Sequence, residues 1–320
     1  MTILITGGAG FVGSWLALRL IERGESVVIL DNFDPYYDPL IKRANLELAL
    51  AADPTGTRAR LIEGDIRDTA LIARIFADHD IKKVVHLAGM ASVRYSAERG
   101  GLYSDVNTTA SVNLMDAARK ASVELFVMAS TSSVYGNTDR VPFREDDLPD
   151  QPLAPYPASK RAAELFAYTY THLFGLNVTI LRFFNCYGAR GRPDMMPLKT
   201  IDAILHDQPI TIWDGGLLAR DWTYIDDTVD GILAALERPM GYQIINLGCG
   251  TPVTLLDFIH IYETLMGKEA ILVDAPAPLT EPRITYCDNT RARELLGFAP
   301  KIELREGLAR TWAWYQSRFD

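Results

Sequence analysis

Tyr156 and Lys160 stand four positions apart in the run Tyr156-Pro157-Ala158-Ser159-Lys160, so on a helix the phenol and the ammonium share one face. Pro157 is no obstacle at a first helical position, where its missing N–H is not needed. An unperturbed tyrosine, with a pKa of about 10, is too high to serve as a base at neutral pH, and a nearby lysine cation favours its phenolate. The pair is suited to taking a proton from a hydroxyl group. Alone, a Tyr and a Lys at this spacing are far more often a solvated surface pair, so the reading depends on what accompanies them.

Two further constellations precede it. Thr6-Gly7-Gly8-Ala9-Gly10-Phe11-Val12-Gly13 follows an apolar strand and opens a helix reaching about Arg23. Glycines let the backbone turn tightly and approach a pyrophosphate, whose charge is met by the helix's N-terminal amides; a bare strand-to-helix turn is the alternative. Context favours the ligand. A second strand ends at Asp31, eighteen residues after Gly13, where a carboxylate accepts bonds from adenosine ribose hydroxyls and repels a 2′-phosphate, so NAD is preferred over NADP. Asp65, after the third strand, reads equally as an adenine contact or a helix cap. Ala129-Ser130-Thr131-Ser132-Ser133-Val134-Tyr135-Gly136 ends a fifth strand and puts hydroxyls at the carboxyl edge where ligands of such sheets bind. Thr131 is the candidate to bond the reacting oxygen; Ser130 reads equally as part of a turn.

These residues need a scaffold. Continuous β-branched or apolar runs at Ile3–Thr6, Val27–Asp31, Ala59–Glu63, Lys83–Ala88, Leu125–Ser130 and Val178–Phe183 alternate with helical patterns. That alternation predicts an α/β fold, a Rossmann-type doubly wound parallel sheet covered on both faces. After Phe184 the pattern is interrupted by Gly188, Gly191, Pro193 and Pro197, which begins a second, smaller mixed α/β substrate domain. The chain re-enters the first lobe with a helix around Asp226–Glu237 and a strand at Gln243–Leu247. The expected division is 1–184 plus 223–251 and about 283–293 for the nucleotide lobe, and 185–222 plus 252–282 and 294–320 for the other.

A chain of 320 residues with 48% hydrophobic and 23% charged residues supports a sizeable core and argues against disorder. Its net charge of -9 gives no general attraction to polyphosphate, so nucleic acid is not expected as a partner and any phosphate must meet a local cluster of donors. Cys186, Cys249 and Cys287 lack metal-ligand spacing and read as thiols of a reducing compartment, the cytoplasm. Neither a signal peptide nor a membrane span is read, and no metal is expected.

The order of motifs resembles the extended short-chain dehydrogenase/reductases, specifically the NAD-dependent sugar-nucleotide epimerases and dehydratases, over essentially the whole chain. It comprises the glycine turn, Asp31, His86-Leu87-Ala88-Gly89, Asn107, Thr131–Gly136, Tyr156/Lys160, Arg182-Phe183-Phe184-Asn185 and Arg220–Asp227. Within that group the stretches Asp31–Pro39, Val93-Arg94-Tyr95-Ser96 and Gly191-Arg192-Pro193-Asp194-Met195 look most like UDP-glucuronate 4-epimerases. The resemblance implies a cofactor site of Gly7, Gly10, Phe11, Val12, Gly13, Asp31, Asn32, Asp65, Ile66, Leu87, Ala88 and Lys160. It implies catalysis by Thr131, Tyr156 and Lys160. Substrate contacts fall to Thr131, Ser132, Ser133, Tyr156, Asn185, Arg192 and Arg220, with Arg94 and a shifted Arg283 as further candidates; arginine forks suit phosphates. Helices around Val106–Lys120 and Pro157–Phe174 resemble those that pair across homodimers of this family.

Relatives that eliminate water carry an Asp-Glu pair just after the threonine, and decarboxylases carry Glu two places after it. This chain has Ser132 and Ser133, so neither reaction has its acid. The resemblance then implies C4 epimerisation of a UDP-sugar: Tyr156 deprotonates the 4-hydroxyl, NAD removes the C4 hydride, and the 4-keto sugar turns over before hydride returns. UDP-glucuronate to UDP-galacturonate is the expected reaction. UDP-glucose/UDP-galactose epimerisation is the runner-up; a UDP-glucuronate decarboxylase, a non-catalytic dinucleotide-binding regulator and a net reductase consuming external NADH follow. A 4-keto uronate is a β-keto acid, and Thr131, Ser132 and Ser133 with Asn185 are expected to hold its carboxylate in an unproductive orientation.

Overall fold

In the computed structural model, which describes residues 1–318, the continuous apolar runs form β1 (Thr2–Thr6), β2 (Ser26–Asp31), β3 (Ala59–Glu63), β4 (Ile81–His86), β5 (Leu125–Thr131) and β6 (Val178–Phe183). Later strands are β7 (Asn185–Tyr187), β8 (Pro209–Trp213), β9 (Ala219–Tyr224), β10 (Tyr242–Leu247), β11 (Pro252–Thr254) and β12 (Ile271–Ala275). Seven make one sheet in the order β10-β6-β5-β4-β1-β2-β3, with every neighbouring pair parallel.

Both faces of this sheet are buried, which is why its strands read as unbroken apolar runs. Alternate residues enter different cores: Ile3, Ile5, Val27 and Ile29 pack on one face, Leu4, Val28 and Leu30 on the other. Helices Phe11–Glu22, Pro39–Leu50, Thr69–Asp78, Ala110–Lys120 and Pro155–Phe174 supply the layers. Strand order reverses at β1, flanked by β2 and β4, and that reversal opens a crevice beyond the carboxyl ends of the strands.

Beyond β6 the chain builds a three-stranded sheet, β11-β9-β7, and a two-stranded one, β12-β8, with helices Met196–Leu205, Leu255–Met266 and Leu304–Gln316. Helix Ile225–Ala235 and β10 return to the large sheet. One apolar cluster runs from Leu16 and Leu233 through to Ile201, Phe258 and Leu308, so the smaller elements pack on the same core as one face of the large sheet. The expected last segment, 294–320, has its final two residues outside the described chain.

Several boundaries differ from expectation near the site. β4 ends at His86, leaving Leu87 and Ala88 as loop residues tied across to β1 by Leu87 N–H to the Thr6 carbonyl (3.0 Å) and Ala88 N–H to Thr6 Oγ1 (3.3 Å). The stretch expected as one helix from Val106 starts with a π-helical turn, Ser104–Thr109, before the α-helix Ala110–Lys120; the wider turn accompanies an Asn107 side chain that bonds outward to Met90 and Ser159. The helix bearing the Tyr/Lys pair begins at Pro155, two residues early, so Pro157 is the third helical residue, a position where a backbone N–H would have no intrahelical acceptor and the missing donor costs nothing.

Candidate functional site

A cavity of about 450 Å³ opens along the strand reversal, and each residue expected at the cofactor lines it: Gly7, Gly10, Phe11, Val12, Gly13, Asp31, Asn32, Asp65, Ile66, Leu87, Ala88 and Lys160. Gly7 has φ +70°, and a Cβ there would stand 2.6 Å from the Ala88 nitrogen, so only glycine fits. At Gly13 a Cβ would collide with the Gly7 carbonyl oxygen. Gly10 caps helix Phe11–Glu22 with no side-chain acceptor on its first amides, which leaves them for an anion. Asp31 accepts from Ala9 N–H (3.0 Å) and Phe33 N–H (2.8 Å), which fixes the glycine turn and leaves carboxylate lone pairs for ribose hydroxyls. These residues fit a dinucleotide such as NAD.

Asp65 does not cap the next helix. That cap is Asp68, which accepts from Ala70 and Leu71 N–H (3.0 and 2.9 Å). Asp65 instead takes both arms of Arg67 (2.9 and 2.7 Å) and Asn32 Nδ2 (3.1 Å), and the Arg67 bonds hold its carboxyl down to about 2.

At the other end of the cavity Thr131, the last residue of β5, accepts from Ser133 N–H at 3.1 Å, and its side chain acts on the Tyr156 phenol in the direction of a lower pKa. Burial raises the Tyr156 phenol above its ordinary value, opposed by Thr131 and by the Arg192 charge. Burial also pushes the Lys160 ammonium down to about 8, against the pull of Glu164.

Several side chains fix this end. Asn107 accepts from Met90 N–H (2.8 Å) and donates to the Met90 carbonyl and to Ser159 Oγ (3.0 Å each), while Ser159 donates to the Tyr156 carbonyl (2.7 Å). Ser130 also lines the cavity and donates to Glu164 at 2.6 Å. His86, wholly buried, lies between Thr6 Oγ1 (2.7 Å, at Nδ1) and Ser111 Oγ (2.8 Å, at Nε2). Because Ser111 donates its own proton to the Asn107 carbonyl, it accepts from Nε2–H, and the ring is neutral; burial drives its pKa to about 3.

Ser132, Ser133, Asn185 and Arg192 also line this cavity. Asn185 is shared with a second cavity of about 450 Å³, walled by Arg94, Trp213, Arg220 and Glu281. Arg283 lines neither cavity; its side chain is exposed, and its backbone N–H and carbonyl bond Asn137 and Ala219.

Sequence reasoning missed four residues here. Tyr36 donates to Asp194 at 2.8 Å, and Asp194 takes Arg192 bidentately (2.9 and 2.8 Å); both lie in stretches that carried the resemblance. Glu281 pairs with Arg94 and Arg220, and Trp213 stacks under the Arg94 guanidinium at 4.1 Å. Glu281 sits in the segment where Arg283 drew attention; Trp213 gave no signal. Among the described residues no cluster of His, Cys, Asp and Glu is arranged to hold a metal, and no helix is long and apolar enough to cross a membrane.

Residues 3–248 match the NAD dependent epimerase/dehydratase family. A UDP-glucuronate 4-epimerase of Thermodesulfobacterium geofontis is 38% identical over 318 residues, 99% of this chain and 97% of that one. Among solved structures, the UDP-glucuronic acid 4-epimerase of Bacillus cereus in complex with UDP-glucuronic acid and NAD superposes with a TM-score of 0.92 at 33% identity, covering 99% of this chain and 100% of the other. The UDP-glucose 4-epimerase of Thermotoga maritima with UDP-glucose gives 0.91 at 30% identity, with both chains fully covered.

Proposed function

The chain belongs to the NAD dependent epimerase/dehydratase family, and from that premise we propose that it interconverts UDP-glucuronate and UDP-galacturonate by NAD-dependent epimerisation at C4. The observation that carries this reading is the cavity wall made by Thr131, Ser132 and Ser133 beside Tyr156: it offers hydroxyl groups, while the acids of the cavity, Asp31, Asp34 and Asp65, come from the end of β2 and the loops after β2 and β3. A uronate carboxylate needs such donors and would be repelled by an acid.

NAD, when bound, supplies the acceptor and donor of the C4 hydride. The protein supplies the rest. Tyr156 takes the proton of the sugar 4-hydroxyl and returns it after the 4-keto sugar has turned over, with Thr131 bonding the same oxygen. Lys160, as ammonium, stabilises the phenolate that exists before the proton is taken and again after it is returned. Ser132, Ser133 and Asn185 hold the carboxylate of the β-keto acid so that its C–C bond does not align with the carbonyl π system, which keeps carbon dioxide from leaving. Arg94, Arg192 and Arg220 bind the nucleotide sugar, the diphosphate falling to arginine forks.

The remaining expectations belong to the same proposal. Helix Pro155–Phe174 leaves Leu165, Phe166, Tyr168, Leu173 and Phe174 exposed, a large apolar patch that a second copy would cover, so the enzyme is read as a homodimer, testable by sedimentation. The two-lobe division and a cytoplasmic setting, consistent with three free thiols, are part of this reading.

The test is product analysis: purified protein incubated with UDP-glucuronate yields UDP-galacturonate without net change in nicotinamide absorbance. A pentose product would turn the assignment to decarboxylation. Turnover of UDP-glucose alone would favour the second reading, to which the likeness to the Thermotoga maritima enzyme lends weight.

A further inference from the structure

The carboxylate of Glu281 is shared between two arginines that lie far apart in the chain: Oε1 takes Arg94 Nε at 3.0 Å and Oε2 takes Arg220 Nη2 at 3.0 Å. All three side chains wall the second cavity, which meets the first at Asn185. The Glu281 and Arg220 side chains are each only 15% exposed, and burial holds Arg220 below its ordinary pKa. A half-desolvated arginine without an anion is costly, and two guanidinium groups converging on two anionic oxygens make the arrangement that receives a phosphate. In the free protein the anion in that position is the protein's own.

We propose that Glu281 is a resident counter-anion that the diphosphate of the nucleotide sugar displaces from Arg94 and Arg220, so that the carboxylate competes with substrate and product alike. This rests on the nucleotide-sugar reading given above. Glu281 belongs to the segment between β12 and Thr285, with Leu279 almost fully exposed at its crest, so the carboxylate can swing outward without disturbing the core. Competition of this kind suits a reaction whose substrate and product share one nucleotide. Tight diphosphate binding holds both equally, adding nothing to the chemical step and slowing release; an internal competitor weakens that uniform grip while keeping the arginines paired between turnovers.

Calorimetric titration of UDP and of uridine into the NAD-loaded enzyme and its Glu281→Gln variant tests this, with thermal melting to verify that the variant is folded and Glu281→Ala as a second replacement. The expected result is a Kd for UDP lowered roughly three- to tenfold in both variants, with uridine, which lacks phosphate, binding unchanged. An unchanged or raised Kd for UDP overturns the proposal, and weakening of UDP and uridine together also overturns it by making Glu281 a ribose ligand. Failure of the wild-type enzyme to bind UDP would sink the nucleotide-sugar reading and this inference together, an outcome distinct from the others because it needs no variant.

Discussion

Arg182 meets Glu164 end-on through two parallel hydrogen bonds, Nε to Oε1 at 3.0 Å and Nη2 to Oε2 at 2.7 Å, with both side chains wholly buried. Around them Ser130 and Arg161 also bond Glu164 (2.6 and 3.0 Å), and Arg182 Nη1 donates to the Tyr135 hydroxyl (2.8 Å), which donates onward to Asn246 (2.7 Å). The network ties β5, β6, β10 and the helix of Tyr156 and Lys160 together behind the cavity.

Removing one partner leaves an uncompensated buried charge, so Arg182→Met is expected to destabilise the protein by about 3–5 kcal/mol, measured by urea unfolding. The same pair predicts acid sensitivity. The Arg182 charge and bonds hold the Glu164 carboxyl below its ordinary value despite burial, so the folded state binds fewer protons than the unfolded one; the stabilisation is present above the unfolded pKa and is lost as pH falls through the folded one. Melting temperature followed downward from pH 6 should drop in the wild type.

Tyr156→Phe should lower turnover by roughly 10²- to 10⁴-fold, the usual worth of a positioned proton carrier, while NAD affinity and the melting temperature stay close to wild type. Full activity in that variant ends the proposed role for the phenol.

Lys160 sets the alkaline side. With its ammonium held to about 8 by burial, kcat/KM should fall as pH rises through about 8, because the charged form is the one the mechanism uses. Lys160→Arg stays charged across that range, so its residual activity should lose this limb. A limb that stays near 8 in the arginine variant would assign it to another group.

Ser133→Glu puts a carboxylate where the uronate's own is held, and like-charge repulsion should raise KM for UDP-glucuronate by an order of magnitude or more, about 1.4 kcal/mol for each tenfold. UDP-glucose, which lacks the carboxylate, should be affected much less. Equal affinity of the variant and the wild type for UDP-glucuronate would remove the serines from that role.

Much of the site was legible because its parts are local in sequence. The glycine turn, Asp31, the Thr131–Ser133 strand end and the Tyr156/Lys160 spacing each carry their signal within a few residues, and the strand pattern dictates which sheet edge they share. What could not be read are pairings made by folding. Glu281 lies 187 residues from Arg94, and Glu164 lies 18 from Arg182 on a different element; nothing in either stretch names its partner. The π-helical turn at Ser104–Thr109 escaped because its sequence has the apolar spacing of an ordinary helix. The rise in the pKa of the Tyr156 phenol could not be read either, since spacing gives proximity but says nothing of burial.

The imidazole at the end of β4 brings one last consequence. A ring with a pKa near 3, saturated at both nitrogens, stays uncharged through any acidification a living cell tolerates. It therefore works as a fixed spacer between Thr6 of β1 and Ser111, which holds the Asn107 carbonyl, and a metabolic drop in pH leaves that spacing where it was. Isosteric replacement by a residue that bonds on one side only would unpin Asn107 from β1.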